Sequence, residues 1–236
     1  MNFDLITQVR YGSSRLPAKI LLNYDKTNLL TFFISNLKKI KNIDRIILAC
    51  PNDRYVNIFK LLANKLNVNL FSYDGNEKNV LDRYYMCAKK YSSENVIRIT
   101  SDCPFINIEM VKNMINFYKQ KKLLFLTNNK PRYVPHGFDC EIIHYSILEN
   151  AKLNSKTEYE REHVTPWIYK NYFKNENNIK ILKKNYSDVR ITIDTAKDYL
   201  FFLKNDKLLK KISREKNFKK YLKKLKIWKL TMESKL

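Results

Sequence analysis

Apolar positions along the first half of the chain follow two alternating periods. Short apolar runs of strand character lie at Asp4 to Val9, Arg45 to Cys50, Asn69 to Tyr73, Asn95 to Thr100 and Leu123 to Asn128. Between them, apolar residues recur every three or four positions: Leu29, Leu30, Phe33, Ile34 and Leu37, then Ile58, Leu61, Leu62 and Leu66, then Val80, Tyr84, Cys87, Ala88 and Tyr91, then Val111, Ile115 and Tyr118. Such spacing places one apolar stripe on a helix, whereas the short runs suit buried strands. Strand and helix taking turns predicts an α/β fold with a mostly parallel sheet and helices on both faces.

After Asn128 the rhythm changes. Loops are expected around Pro131, Pro135 and Gly137, then a short helix from Tyr145 to Ala151, then an irregular stretch holding EREHVTPW. A strand pair, NIKILKK and DVRITID, precedes a helix that begins near Thr195. From Lys204 the chain is Lys-rich and helical, with Leu208, Leu209, Ile212, Leu222, Leu225 and Ile227 as its apolar stripe.

In open parallel sheets, ligands bind beyond the carboxyl ends of the strands. The loop after the first strand, VRYGSSRLPAK, is a candidate. Arg10, Arg15 and Lys19 are pure donors, Ser13, Ser14 and the backbone around Gly12 add neutral ones, and Pro17 stiffens the turn. That set suits a polyphosphate, although no Gly-x-x-x-x-Gly-Lys pattern is present. SDCPF follows the fourth strand, so Asp102 reaches the same sheet edge, either holding a divalent cation against phosphates or capping a turn or helix. Asp194 ends VRITID just before Thr195, and helix capping is its alternative as well.

Taken together, VRYGSSRLPAKIL, NVLDRYYMCAK, VIRITSDCPFI and YEREHVTPWIY resemble, in the same order, the motifs of the cytidylyltransferases that activate sugars as CMP derivatives. The likeness is greatest to their SpsF-like branch, named after spore coat polysaccharide biosynthesis, a relative of the CMP-KDO and acylneuraminate cytidylyltransferases. It covers about Asp4 to Leu203. It implies a Rossmann-like nucleotide-diphospho-sugar transferase fold over residues 1–203, with an acceptor and dimerisation subregion at 131–175; residues 204–236, Lys-rich and helical by their own pattern, form the remaining segment. The implied reaction is transfer of CMP from CTP to a sugar or sugar-acid acceptor, with Mg2+ as cofactor and a homodimer as the assembly.

Residue by residue, the resemblance implies triphosphate contacts from Arg10, Ser13, Arg15 and Lys19 beside Gly12, and magnesium ligation by Asp102 with Asp194. Arg83 is expected near the nucleotide, with a helix-surface charge as its alternative, and Ala49 with Pro51 to Asp53 near the base. Gly137, Asp139 and Glu141 in HGFDCEI are expected beside the acceptor, with the two acids on one face by strand alternation. Glu160, Arg161, Glu162 and His163 are expected to reach toward the acceptor and the partner subunit. The chain departs from the family at Ala18 and Ser101, where glycine is usual, and in its short Lys-rich carboxyl end.

Charge adds rival readings. With 45 Lys and Arg against 23 Asp and Glu, the formal charge is +22, which invites a nucleic-acid-binding alternative centred on KNFKKYLKKLKIWK. The same tail could instead lay Phe218, Leu222, Leu225 and Ile227 on a membrane surface. A bias toward Asn, Ile and Lys with only three glycines points rather to compositional drift, and no specific nucleic-acid partner is expected. A nucleotidyltransferase using another nucleotide, or a phosphate or phosphonate acceptor, remains the alternative within the enzyme class. Four widely spaced cysteines predict reduced thiols. The apolar runs are too short to span a membrane, and MNFDLITQV lacks the segments of a signal peptide, so a cytoplasmic protein is expected.

Overall fold

The computed structural model describes residues 1–13, 15–180, 182, 184–218 and 220–222. Its first strand, β1 (Phe3–Gln8), lies inside a six-stranded sheet, flanked by β4 (Arg45–Pro51) and β6 (Asn95–Arg98), both parallel to it. β5 (Asn69–Tyr73) pairs parallel with β4 at one edge. On the other side β8 (Glu141–His144) runs antiparallel between β6 and β7 (Phe125–Thr127). The chain therefore moves outward from β1 to β4 and β5, then returns past β1 to β6. That reversal makes the carboxyl ends of β1 and β6 a topological switch point, where a crevice opens.

Alternation along the central strands explains the two cores. Leu48 and Cys50 of β4 face one layer, and Ile47 and Ala49 face the other. The first layer holds α1 (Leu29–Leu37), α2 (Val56–Leu66), α4 (Ile108–Lys121) and α8 (Ala196–Arg214), and the second holds α3 (Val80–Lys90), α5 (Tyr145–Asn154) and α7 (Pro166–Tyr172). The Asn-rich composition serves the helix starts: Asn28, Asn79 and Asn107 each accept a hydrogen bond from a first-turn backbone N–H, of α1, α3 and α4.

Sequence expectation and structure differ in four places. No helical period resumes after the first strand until about Asn28, which predicts a long loop, but that stretch contains a 3-10 turn at Lys19–Leu21 and a small hairpin, β2 (Asn23–Tyr24) with β3 (Thr27–Asn28). Asp25 and Lys26 both have positive φ at its tip, the geometry of a type I′ turn without the usual glycine. EREHVTPW is mostly helical, split between α6 (Glu158–His163) and α7.

DVRITID forms no ladder strand, although Val189, Ile191 and Ile193 are buried at alternate positions as a strand would bury them. Its backbone instead divides its hydrogen bonds: Ile191 N donates to His136 O, and Ile193 N to Asp102 O. Its expected partner NIKILKK includes Ile181 and Lys183, which lie outside the described residues; Asn178 makes a single bridge to Thr127.

The fourth difference is the carboxyl segment. α8 runs through residue 204 with a kink at Asn205, and Leu209, Ile212, Phe218 and Leu222 are buried in the first core. Phe218 packs on Phe138 and so cannot serve a membrane stripe from that position. Leu225 and Ile227 lie outside the described residues. Among the described residues no helix is long and apolar enough to cross a membrane, and all four cysteines are buried and unbridged.

Candidate active site

Two neighbouring cavities open at the switch point, of about 340 and 610 Å3, and both are lined by Arg98, Thr100, Asp102 and His163. These volumes suit small-molecule sites.

The smaller cavity is built on the loop after β1. Val9 N donates to Ala49 O, Ala18 N to Tyr11 O, and the Tyr11 ring stacks on Tyr55 with centroids 3.9 Å apart. These contacts fix the loop at both ends, so Arg10, Ser13, Arg15 and Lys19 line one wall. Ser14 lies outside the described residues. Ala18 sits at φ 53, in the left-handed region that glycine adopts freely. Ser101, the other departure, donates its hydroxyl to Gln8 O and thereby ties the β6 loop to the end of β1.

Opposite the loop stand the two acids, and neither is a cap. α4 is capped by Asn107, and α8 by Thr195 in a capping box with Asp198, whose carboxylate accepts from the backbone N–H groups of Asp194 and Thr195. Asp102 and Asp194 are thus left to the cavity. Lys19 joins them: its ammonium donates to Asp194 Oδ1 at 2.8 Å and to Ile193 O at 2.9 Å, and lies 3.7 Å from Asp102 Oδ2. Arg15 stands 3.5 Å from Asp194, and Arg190 pairs with its other oxygen. Burial opposes the charge on Asp194, but the Lys19 hydrogen bond and the fields of Lys19, Arg190 and Arg15 outweigh it and hold the carboxyl below its ordinary range.

The larger cavity takes its floor from the sheet. Arg98 of β6 and Glu141 of β8 form an almost buried ion pair, and the Tyr169 hydroxyl also donates to Glu141. Asp139 lies just before β8, pairs with Arg132, and accepts from Asn129 and from the Gly137 backbone. Asp139 and Glu141 line the same cavity, as alternation predicts.

His163 reaches both cavities from the end of α6, and the backbone there is strained. Val164 is buried at φ 71 and ψ −55, with Thr165 N donating to His163 O across it: a γ-turn, uncommon for a β-branched residue.

Of the expected residues, Gly12, Ala49, Pro51 to Asp53, Arg83, Gly137, Glu160 and Arg161 line neither cavity. Gly12 supports the loop near Glu77, and Ala49 is buried within β4. Arg83 is not a helix-surface charge: it is 1% exposed, donates to Glu77 O, and keeps a buried Nε without a partner. Gly137 has φ 104, and a Cβ there would come within 2.8 Å of the Ile191 backbone, so glycine is required where the chain passes beneath Asp139. Glu160 faces away, because its carboxylate is engaged by the N–H groups of Lys156 and Thr157 at the start of α6.

Sequence reasoning gave no site role to Gln8, Lys78, Arg98, Thr100, Arg132 and Tyr169. Arg98 carried a signal: a charged residue inside an apolar strand needs a partner or a ligand.

A basic loop and two carboxylates thus face each other at the switch point of a Rossmann-like sheet, an arrangement suited to the phosphates of a nucleotide. A family model described as cytidylyltransferase matches residues 5–233, and the chain belongs to that family. It is 35% identical over 210 residues to the uncharacterized protein MJ1063 of Methanocaldococcus jannaschii, covering 86% of this chain and 82% of that one. It is 27% identical over 207 residues to the spore coat polysaccharide biosynthesis protein SpsF of Bacillus subtilis, covering 82% of each. Among solved structures, a cytidylyltransferase from Leptospira borgpetersenii superposes with a TM-score of 0.78 at 31% identity, over 90% of this chain and 86% of that one.

Proposed function

We propose that the protein transfers the cytidylyl group from CTP to an acidic sugar acceptor and releases pyrophosphate, within surface polysaccharide or glycoconjugate synthesis. The observation that carries this reading is the pair of cavities sharing Arg98, Thr100, Asp102 and His163, with the basic loop on one side and the Asp139–Glu141 floor on the other. A donor and an acceptor held in adjoining cavities can meet at one point, and such positioning supplies much of the catalysis in a displacement at phosphorus.

In this reading Arg10, Ser13, Arg15 and Lys19 hold the triphosphate, while Arg83 and Ala49 lie behind the base. The acceptor oxygen attacks the α-phosphorus, the bond to the bridging oxygen of the β-phosphate breaks, and the acceptor's proton passes to water. Arg15 and Lys19 neutralise charge on the departing pyrophosphate. Asp102 and Asp194 fit magnesium, since both offer carboxylate oxygens to one cation, the Lys19 ammonium, in a cavity walled by the basic loop. Bound there, the metal would neutralise phosphate charge.

Asp139, Glu141 and His163 would meet the acceptor, with Gly137 and Glu160 shaping their supports. Arg132 and Lys130 lie in the same cavity, and Arg132 keeps a buried Nη1 without a partner, which favours an anionic acceptor. A screen of acidic 3-deoxy sugars with CTP, Mg2+ and coupled phosphate detection tests the reading. Turnover with a phosphate or phosphonate instead would replace the acceptor class.

We also propose a homodimer. Met86, Leu153 and Tyr159 are exposed on α3, α5 and α6, and α3 packs against both of the others. Light scattering at micromolar concentration should give twice the chain mass, and a fully active monomer would contradict it.

A further inference from the structure

Lys19 links the two acids: its ammonium donates hydrogen bonds to Asp194 and the Ile193 carbonyl and ion-pairs with Asp102. An ammonium has three donors. Here they face three oxygens: Asp194 Oδ1 at 2.8 Å, Ile193 O at 2.9 Å and Asp102 Oδ2 at 3.7 Å. The side chain is 17% exposed, and those of Asp194 and Asp102 are 14% and 30% exposed, so water screens the cluster only partly. Arg15 and Arg190 add two more cations at Asp194, and Arg190 also stands 4.0 Å from Asp198. Three carboxylates thus meet three cations of the protein itself, and a divalent ion approaching alone finds no net negative field. A hard cation would also need carboxylate oxygens at about 2.1 Å, and of these the ammonium holds Asp194 Oδ1, Arg190 pairs with Asp194 Oδ2, and Asp102 Oδ2 lies 3.7 Å from the ammonium.

We propose that Lys19 is an internal counter-cation that keeps divalent metal off the Asp102–Asp194 pair until nucleotide phosphates draw the ammonium away. The inference rests on Asp102 and Asp194 being the metal carboxylates. A triphosphate offers Lys19 and Arg15 a denser negative partner than the acids do, and the oxygens that Lys19 leaves become free for the metal. Metal and nucleotide then bind as one event. Because coupling is reciprocal, each raises the affinity of the other.

The test is Mn2+ binding followed by electron paramagnetic resonance. Without nucleotide, the wild type should bind Mn2+ at least about tenfold more weakly than Lys19→Met, since removing one adjacent positive charge favours a second cation by at least that much. Adding Asp102→Asn to Lys19→Met should abolish the gained site, which locates it. Lys19→Gln should behave like Lys19→Met, and it serves if the methionine variant fails to fold. Equal Mn2+ affinity in the wild type and the neutral variants, with wild-type binding still strengthened by CTP and lost in Asp102→Asn, would overturn the gating role and leave the acids as metal ligands. A wild type whose Mn2+ binding is unaffected by Asp102→Asn even with CTP present would overturn the assignment of the acids, and the gating role with it.

Discussion

Arg98 and Glu141 face each other across the antiparallel β6–β8 pair, with Nη1 donating to Oε2 at 2.6 Å and side chains 14% and 2% exposed. Burial alone would disfavour the charge on Arg98, but Glu141 reverses the balance and raises its pKa further. Removing one partner of a buried pair leaves the other charge uncompensated, so Arg98→Met should cost about 3 to 5 kcal/mol in urea unfolding. The double change Arg98→Met with Glu141→Leu should recover much of that stability but not turnover, because both side chains line the larger cavity. Recovery of full turnover would show that the pair only supports the sheet.

Ala18 and Gly137 give opposite predictions at two left-handed positions. Ala18 pays for φ 53, so Ala18→Gly should gain roughly 0.5 to 1 kcal/mol despite the greater freedom of glycine in the unfolded chain. Gly137→Ala should lose more than about 2 kcal/mol, since φ 104 is unfavourable and the added Cβ meets the Ile191 backbone. Thermal unfolding of the two variants checks both signs.

Asp194 makes stability depend on pH. A carboxyl whose folded pKa lies below its unfolded value of 3.8 contributes its full share above that value and loses it as the pH falls through the folded pKa. Stability should therefore decline on acidification below about pH 4, and Asp194→Asn should flatten that part of the profile. The same variant should lose roughly 1 to 3 kcal/mol at neutral pH, because Lys19, Arg15 and Arg190 lose the negative charge they face, although the amide oxygen can still accept from Lys19. It should also lose metal-dependent turnover, as should Asp102→Asn. An unchanged acid limb in urea titrations from pH 2 to 7 would show that Asp194 titrates with its ordinary pKa.

Regular periodicity made the sheet and the longer helices legible. β5 runs from Asn69 to Tyr73 as expected, α1 begins where Asn28 caps it, and the central strands end within one or two residues of expectation. The γ-turn at Val164 and the divided pairing of DVRITID left no such trace, because both depend on partners remote in sequence. α6 and α7 were missed for want of length, although Thr157 with Glu160 and Pro166 were local start signals. The basic loop and its two acids were legible as chemistry. Their link through Lys19 was not, since it spans 175 residues. Arg98 was passed over because it sits within a strand, ahead of the loop where ligands were sought.

The central claim is that the smaller cavity takes CTP. Isothermal titration of the wild type with CTP, UTP, ATP and GTP in the presence of Mg2+ tests it without any acceptor. The account predicts saturable binding of CTP that exceeds the others by tenfold or more, on the order of the ~1 to 3 kcal/mol that one mismatched buried hydrogen bond costs. It also predicts that Lys19→Ala weakens this binding. No binding of any nucleotide, or a clear preference for a purine, would contradict it.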